Sequence, residues 1–309
     1  MLEDTRETVR LITFLNTEDD VRAGLLSRSG AVIDLSVATP RPHFDLSDVL
    51  HLISVGPEAL GWLRDVAARE QSTQPLESVR LLAPIPRPRK NIFCVGWNYL
   101  EHFEEGAATR AVPVDLPEHP VFFTKAPTAV NGPYADIRIG SGITRKLDWE
   151  VELGVIIGRA GVNIHEDEAM SHVFGYTVIN DVTGRDIQRQ HGQQWFKGKS
   201  LDGSCPMGPV IVTADELDPA DLRLTCRVNG TTKQESNTRY MYFNIARLIA
   251  DLSHGLTLEP GDIIASGTPS GVGHARKPPE FLQPGDLLET EVAGIGILRN
   301  RIVDPNRVA

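Results

Sequence analysis

Cysteine is scarce in this chain. Cys94, Cys205 and Cys226 are an odd number at wide spacing, without thiol pairs at metal-type intervals. That excludes a disulfide framework and points to a reducing compartment, expected to be the cytoplasm. Long apolar runs are also missing. No stretch approaches the ~18–20 residues of a membrane-spanning helix, and Met1-Leu2-Glu3-Asp4 lacks the basic-then-apolar pattern of an export leader. Basic residues are outnumbered, 31 against 41 acidic ones for a net charge of −10, so neither a nucleic-acid surface nor a membrane partner is expected. Fixed-period repeats and low-complexity tracts are absent. What remains is ordinary: 309 residues, 41% hydrophobic and 23% charged, enough to bury a core in one large domain or two modest ones.

Local patterns divide the chain at about residue 86. Before it, Leu11–Phe14 and Ala31–Leu35 read as strands, and Asp45–Val55 and Pro57–Glu70 as helices. In the second helix Pro57 suits the first turn, and Leu60, Leu63, Val66 and Ala67 share a face. The segment Ala83-Pro84-Ile85-Pro86-Arg87-Pro88-Arg89-Lys90 cannot continue a helix or a central strand and reads as an extended linker. A small N-terminal α+β module over 1–86 and a larger domain over 87–309 are therefore expected. Beyond the linker, short strands alternate with Gly, Pro and Asn. Leu222 to Val228 alternates apolar and polar and ends in the hairpin signal Asn229-Gly230. Two Pro-Gly-Asp turns, at Pro260 and Pro284, feed apolar strands. One later helix is clear, with Ile245, Leu248, Ile249 and Leu252 on one face and Gly255 closing it. The fold class is α+β and β-rich.

Chemistry is suggested at five places. In Leu147–Val155, strand alternation puts Asp148, Glu150 and Glu152 on one face and Leu147, Trp149, Val151, Leu153 and Val155 on the other. This is either a half-buried strand with a solvated acidic face or a cation site. Residues two apart in a strand have Cα atoms roughly 6.5–7 Å apart, a span a divalent ion can bridge with convergent carboxylates. At the end of the apolar run from Tyr176, either Asp181 or Thr183 caps the following helix, or Asp181 supplies a third ligand. Carboxylates without His or Cys favour Mg²⁺ or Mn²⁺, with Ca²⁺ a further candidate, over zinc.

In Gly96–Gly106, a short helix would place His102 and Glu105 on one face at i, i+3. They read as a solvated acidic face or as an imidazole oriented by a carboxylate to act as general base. The aperiodic insert Ala107–His119 that follows reads as a lid. Phe196–Gly203 is a solvated loop, or it aims Lys199 at an anion. Ala265–Gly273 offers backbone N–H groups but lacks the Gly-Lys-Ser/Thr of a nucleotide loop. Asn229-Gly230-Thr231, formally a glycosylation acceptor, is read as the hairpin turn alone.

Taken in order, His-x-x-Glu, Glu-x-Glu, Asp, Lys-Ser-x-Asp and Gly-Thr-Pro-x-Gly-Val-Gly between about Asn91 and Asn300 resemble the fumarylacetoacetate hydrolase family. The resemblance implies a mixed β-roll, usually a homodimer, with Glu150, Glu152 and Asp181 as metal ligands. It implies His102 and Glu105 as a water-activating dyad on a lid. Lys199 would steady developing charge, Arg185 and Gln188 would line the pocket, and Thr268 would help hold the substrate carboxylate. Two features depart from the animal fumarylacetoacetase pattern: Val95 stands where that branch has a further metal-binding Asp, and Glu105 follows His102 within one turn. Both suggest the shorter, acylpyruvase-like bacterial branch. Lys125, Tyr134 and the insert after Glu105 are candidates for setting the acyl group.

The function these readings imply is metal-dependent hydrolysis of a C–C bond in an acylpyruvate or 1,3-diketo acid, in aromatic-compound catabolism. Decarboxylation of a 2-oxo acid and isomerisation of a 2-oxo-dienoate are the rivals at the same site. A non-catalytic metal-binding scaffold fits less well, since it has no need of the dyad. A Mg²⁺ phosphohydrolase fits the acids, but a P-loop and an arginine cluster for phosphate are missing.

Overall fold

A computed structural model describes residues 8–69, 73–106, 115–140, 142–192 and 194–306. Its centre is a long mixed sheet in the order Thr73–Gln74, Val32–Asp34, Val21–Leu26, Arg10–Leu15, Cys205–Thr213, Val173–Asn180, Val151–Ile157, Ile263–Ala265, Ile92–Gly96, Val121–Lys125. A second sheet runs Thr231–Asn237, Arg223–Val228, Leu287–Val292, Gly296–Val303, Ile137–Arg138. The architecture is strand-rich α+β, as the punctuated apolar runs imply. No described helix is long and apolar enough to cross a membrane.

Alternation along the strands builds two cores, one on each face of the long sheet. Val151, Leu153 and Val155 pack with Leu224, Cys226, Leu288 and Leu298 of the second sheet. On the other face, Ile156, Ile179 and Ile211 pack with helices α1 (Val49–Val55) and α2 (Pro57–Arg69) through Leu52, Ile53 and Leu63. Helix α1 starts later than its apolar pattern suggests because Asp48 caps it, accepting the His51 N–H at 2.7 Å. Glu70, expected to end α2, lies outside the described residues.

The sheet does not stop at the proline-rich segment. Arg10 and Leu11 pair with Val212 and Ile211, so the N-terminal strands and the later ones share one ladder. The segment is extended, as its prolines require, but it is packed rather than solvated. Ile85 is fully buried, and the Pro84 carbonyl accepts the Thr13 hydroxyl at 2.7 Å.

The turns follow their chemistry. Asn229 and Gly230 both take positive φ between paired Val228 and Thr231, the two-residue turn this dipeptide favours. In both Pro-Gly-Asp turns the aspartate bonds back to the residue three before it, Asp262 to the Glu259 N–H and Asp286 to the Gln283 N–H. The helix read from Ile245 onward, Ile245–Ser253, is capped by Asn244 and followed by Gly255 at φ +73°. The remaining short helices, Leu100–Glu105 (α3), Arg185–Gln190 (α4) and Phe196–Lys199 (α5), all border one buried cluster of acids.

Candidate active site

Register brings the acids together. Val151 pairs with Asn180, and the Asp181 N–H donates to the Glu150 carbonyl at 2.9 Å, so Glu150 and Asp181 face one another across adjacent strands. The strand predicted through Leu147–Val155 breaks at Trp149 and Glu150. Side chains replace the missing ladder bonds: Asn180 Oδ1 accepts the Glu150 N–H and Gln234 Oε1 accepts the Val151 N–H, both at 3.0 Å. Glu150, Glu152 and Asp181 thereby converge, each offering an oxygen within 4.8 Å of the others.

None of these acids is solvated. Asp148, Glu150, Glu152 and Asp181 are at most 4% exposed, which removes the reading of an acidic outer face. Nor does Asp181 cap the next helix: α4 begins after Gly184. Burial costs an ionised carboxylate dearly unless cations or donors face it. Burial pushes the Glu150 carboxyl up, but Lys199, Arg185 and His102 outweigh it and hold the group well below its usual value. Glu152 behaves oppositely. Burial, then the charges of Asp181 and Glu150, push it well above the usual range, and the Lys199 charge and the Gly267 N–H at 2.9 Å offset only part of this.

These features fit a hard cation. The donors are all oxygens and the charges of Asp181 and Glu150 bear on Glu152, while among the described residues Glu152 forms no ion pair and Asp181 Oδ1 accepts no hydrogen bond. That oxygen lies 2.8 Å from Lys125 Nζ, so this ion pair lacks hydrogen-bond geometry and leaves a lone pair available. Glu150, Glu152 and Asp181 could hold a divalent metal ion.

The dyad forms. His102 Nδ1 stands 2.8 Å from Glu105 Oε1 on α3, and His102 is 9% exposed. The other Glu105 oxygen accepts the Gly271 N–H at 2.9 Å, and Glu101 accepts the Ser270 hydroxyl at 3.1 Å. Helix α3 is thus docked on the Gly-rich loop. Fully buried Asn98 ties its root to the same loop, donating to the Ser266 carbonyl at 2.7 Å. Of the insert expected to be a lid, residues 107–114 lie outside the described residues.

Lys199, at the end of α5, is 2% exposed and not part of a solvated loop: its ammonium donates to Glu150 at 2.6 Å and Asp181 at 2.7 Å. Arg185 also reaches the cluster, donating to Asp148 at 2.8 Å, Glu150 at 2.5 Å and Gln188 at 3.3 Å. Phe123, Trp195, Trp97 and Phe103 run edge to face from Lys199 back to α3, with Lys199 Nζ 5.1 Å from the Phe123 ring centre.

Three expected substrate contacts are placed differently. Lys125 is fully buried against Asp181, the Val182 carbonyl and Ser204, so its ammonium supports the acid cluster rather than setting an acyl group. Tyr134 lines a separate cleft of about 790 Å³ with Leu81, Arg87 and Arg138, and none of the triad, the dyad or Lys199 lines it. The Thr268 hydroxyl has spent its proton on the Val151 carbonyl at 2.9 Å and accepts from Gln234 at 2.8 Å, which fixes the strand carrying Glu152 instead of a substrate carboxylate.

The sequence reading gave Asp148 no role, yet it knits the site together. It accepts from the N–H groups of Trp149, Gly273 and His274, from Arg185 and from the His274 ring. Gly273 must be glycine for this approach, since a Cβ there would sit 2.6 Å from Asp148 Oδ1 and 2.2 Å from the Glu280 carbonyl oxygen.

Residues 91–303 match the fumarylacetoacetate (FAA) hydrolase C-terminal family. The chain belongs to the fumarylacetoacetate hydrolase family. It is 47% identical over 228 residues to oxaloacetate tautomerase YisK of Bacillus subtilis (strain 168), covering 74% of each chain. It is 42% identical over 276 residues to a mitochondrial oxaloacetate tautomerase of Bos taurus, covering 89% of this chain and 84% of that one. Among solved structures, the fumarylacetoacetate hydrolase of psychrophilic Exiguobacterium antarcticum superposes with a TM-score of 0.81 at 39% identity, over 96% of this chain and 99% of that one. Family membership makes the chain an enzyme of this superfamily.

Proposed function

We propose that the protein is a metal-dependent tautomerase of a small 2-oxo acid, with oxaloacetate the first substrate to test. The observation that carries this reading is the His102–Glu105 pair, docked by Gly271 beside the buried acids. Two tautomerases that are 47% and 42% identical support it. Keto–enol exchange moves one proton between carbon and oxygen and needs no second reactant, which suits a site whose acids and lysine are all nearly water-free.

Glu105 accepts the Nδ1 proton of His102, which orients the ring and leaves Nε2 to take the proton from the carbon beside the 2-oxo group and to return it. The Gly271 N–H fixes the second Glu105 oxygen, so dyad and loop are set together. Arg185 and Lys199 place positive charge where the enolate oxygen develops. When bound to Glu150, Glu152 and Asp181, Mg²⁺ or Mn²⁺ would supply Lewis-acid polarisation of the 2-oxo oxygen. The test is loss of the ultraviolet enol absorbance of oxaloacetate. Acceleration by the protein that disappears in His102→Asn supports the reading; a rate equal to that of buffer alone overturns it.

Hydrolysis of an acylpyruvate is the second reading, because a base able to abstract a C–H proton can also activate water. Incubation with an acylpyruvate in heavy-oxygen water separates the two. Hydrolysis places one solvent oxygen in the new carboxylate, whereas tautomerisation forms no new carboxylate.

A further inference from the structure

Three cations are buried among the acids of this site. Lys199 Nζ pairs with Glu150 Oε2 and Asp181 Oδ2, Lys125 Nζ with Asp181 Oδ1, and Arg185 Nη2 with Glu150 Oε1. Both oxygens of Glu150 and both of Asp181 therefore already face a built-in cation. An entering divalent ion must share those oxygens with neighbouring positive charges at short range, in a place where water screens little.

The three cations are not equally committed. Arg185 is also held by Asp148 and Gln188. Lys125 is fully buried and also donates to the Val182 carbonyl at 3.1 Å and Ser204 at 3.3 Å. The Lys199 ammonium, by contrast, donates among the described residues to Glu150 and Asp181 alone and otherwise meets only the face of the Phe123 ring, 5.1 Å from its centre. Its backbone sits at the end of a four-residue helix. A lysine stem with several rotatable bonds can re-aim its head by a few ångströms without moving that helix.

We propose that Lys199 is an exchangeable counter-ion: it neutralises Glu150 and Asp181 while no metal is bound, and turns to the substrate's anionic oxygens when a divalent cation enters. Metal and 2-oxo acid then bind with positive coupling beyond direct chelation, because each relieves the charge the other leaves uncompensated. This rests on the reading of Glu150, Glu152 and Asp181 as a cation site.

The test is Mn²⁺ affinity, read from the resonance of free Mn²⁺, without and with saturating oxalate, a non-reactive 2-oxo acid analogue. Wild type, Lys199→Met, Lys199→Gln and Lys125→Met are compared. The two Lys199 variants are expected to bind Mn²⁺ alone about tenfold or more tighter than wild type, and to lose most of the tightening that oxalate gives. In Lys125→Met the oxalate effect is retained. Loading the variants with Mn²⁺ during purification and withdrawing it with graded chelator gives the same affinity order without requiring a stable metal-free fold. Lys199 variants that bind Mn²⁺ no tighter than wild type, or keep the full oxalate effect, overturn the proposal. Wild type that binds no Mn²⁺ in either condition overturns the cation-site reading beneath it.

Discussion

The Glu105 carboxylate accepts the Gly271 amide proton at 2.9 Å while its other oxygen meets His102. One side chain thus orients the proposed base and fastens the helix that carries it to the loop opposite. Glu105→Gln keeps the shape and one acceptor but removes the carboxylate that holds the His102 ring. It is expected to lower kcat with little change in KM, by no more than the roughly 10²–10⁴ that a positioned base contributes, because His102 itself remains. Steady-state kinetics on enol-oxaloacetate checks this; a change confined to KM would contradict it.

Asp148 is fully buried and holds Arg185 together with the Gly273–His274 turn. Asp148→Asn leaves a buried guanidinium with one carboxylate instead of two. Breaking such a pair costs about 3–5 kcal/mol, so thermal unfolding should shift down by several degrees even where Mn²⁺ is saturating. An unchanged melting temperature would show that the network carries no stability.

Glu152→Gln should act in opposite directions on stability and metal binding. The carboxyl is pushed up by burial and by the charges of Asp181 and Glu150, so a neutral amide of the same size relieves repulsion. The metal-free variant is expected to melt above metal-free wild type, and added Mn²⁺ should raise its melting temperature far less. Calorimetric scans with and without Mn²⁺ check both halves.

Gly198 fits helix α5 against α4, and a Cβ there would lie 2.5 Å from the Gln188 nitrogen. Gly198→Ala must push α5 away and take adjacent Lys199 with it. Overpacking of this kind costs about 1–3 kcal/mol. Activity should fall along with the melting temperature, and loss of stability with full activity would argue that Lys199 tolerates displacement.

The nearness of Glu150 to Glu152 and of His102 to Glu105 was legible because strand alternation and helical i, i+3 spacing are local rules, whereas Asp181, just past the end of the neighbouring strand, read equally as a helix cap. Glu150 and Glu152 share a face, and His102 and Glu105 share a turn, whatever the rest of the chain does. What could not be read was which polar groups meet across long sequence gaps. Asp148 gains its role from Gly273 and His274, more than a hundred residues away, and Thr268 spends its hydroxyl on Val151 for a similar reason. The solvated reading of the acidic face failed because the strand Val151–Ile157 is covered on both sides, a fact of sheet position that no alternation pattern carries. Lys125 was misplaced because a lysine is rarely fully buried; only the three-dimensional pairing with Asp181 makes that burial tolerable. The proline-rich segment showed its extended form but not the core it packs against.

A divalent ion held by the buried carboxylates should be required for proton transfer. The most direct measurement is the rate of enol-oxaloacetate consumption by the same sample before chelation, after exhaustive chelation, and after restoring Mn²⁺. The protein-dependent rate is expected to be lost on chelation, to return with Mn²⁺, and not to return in Asp181→Asn. A rate that chelation leaves unchanged would contradict it.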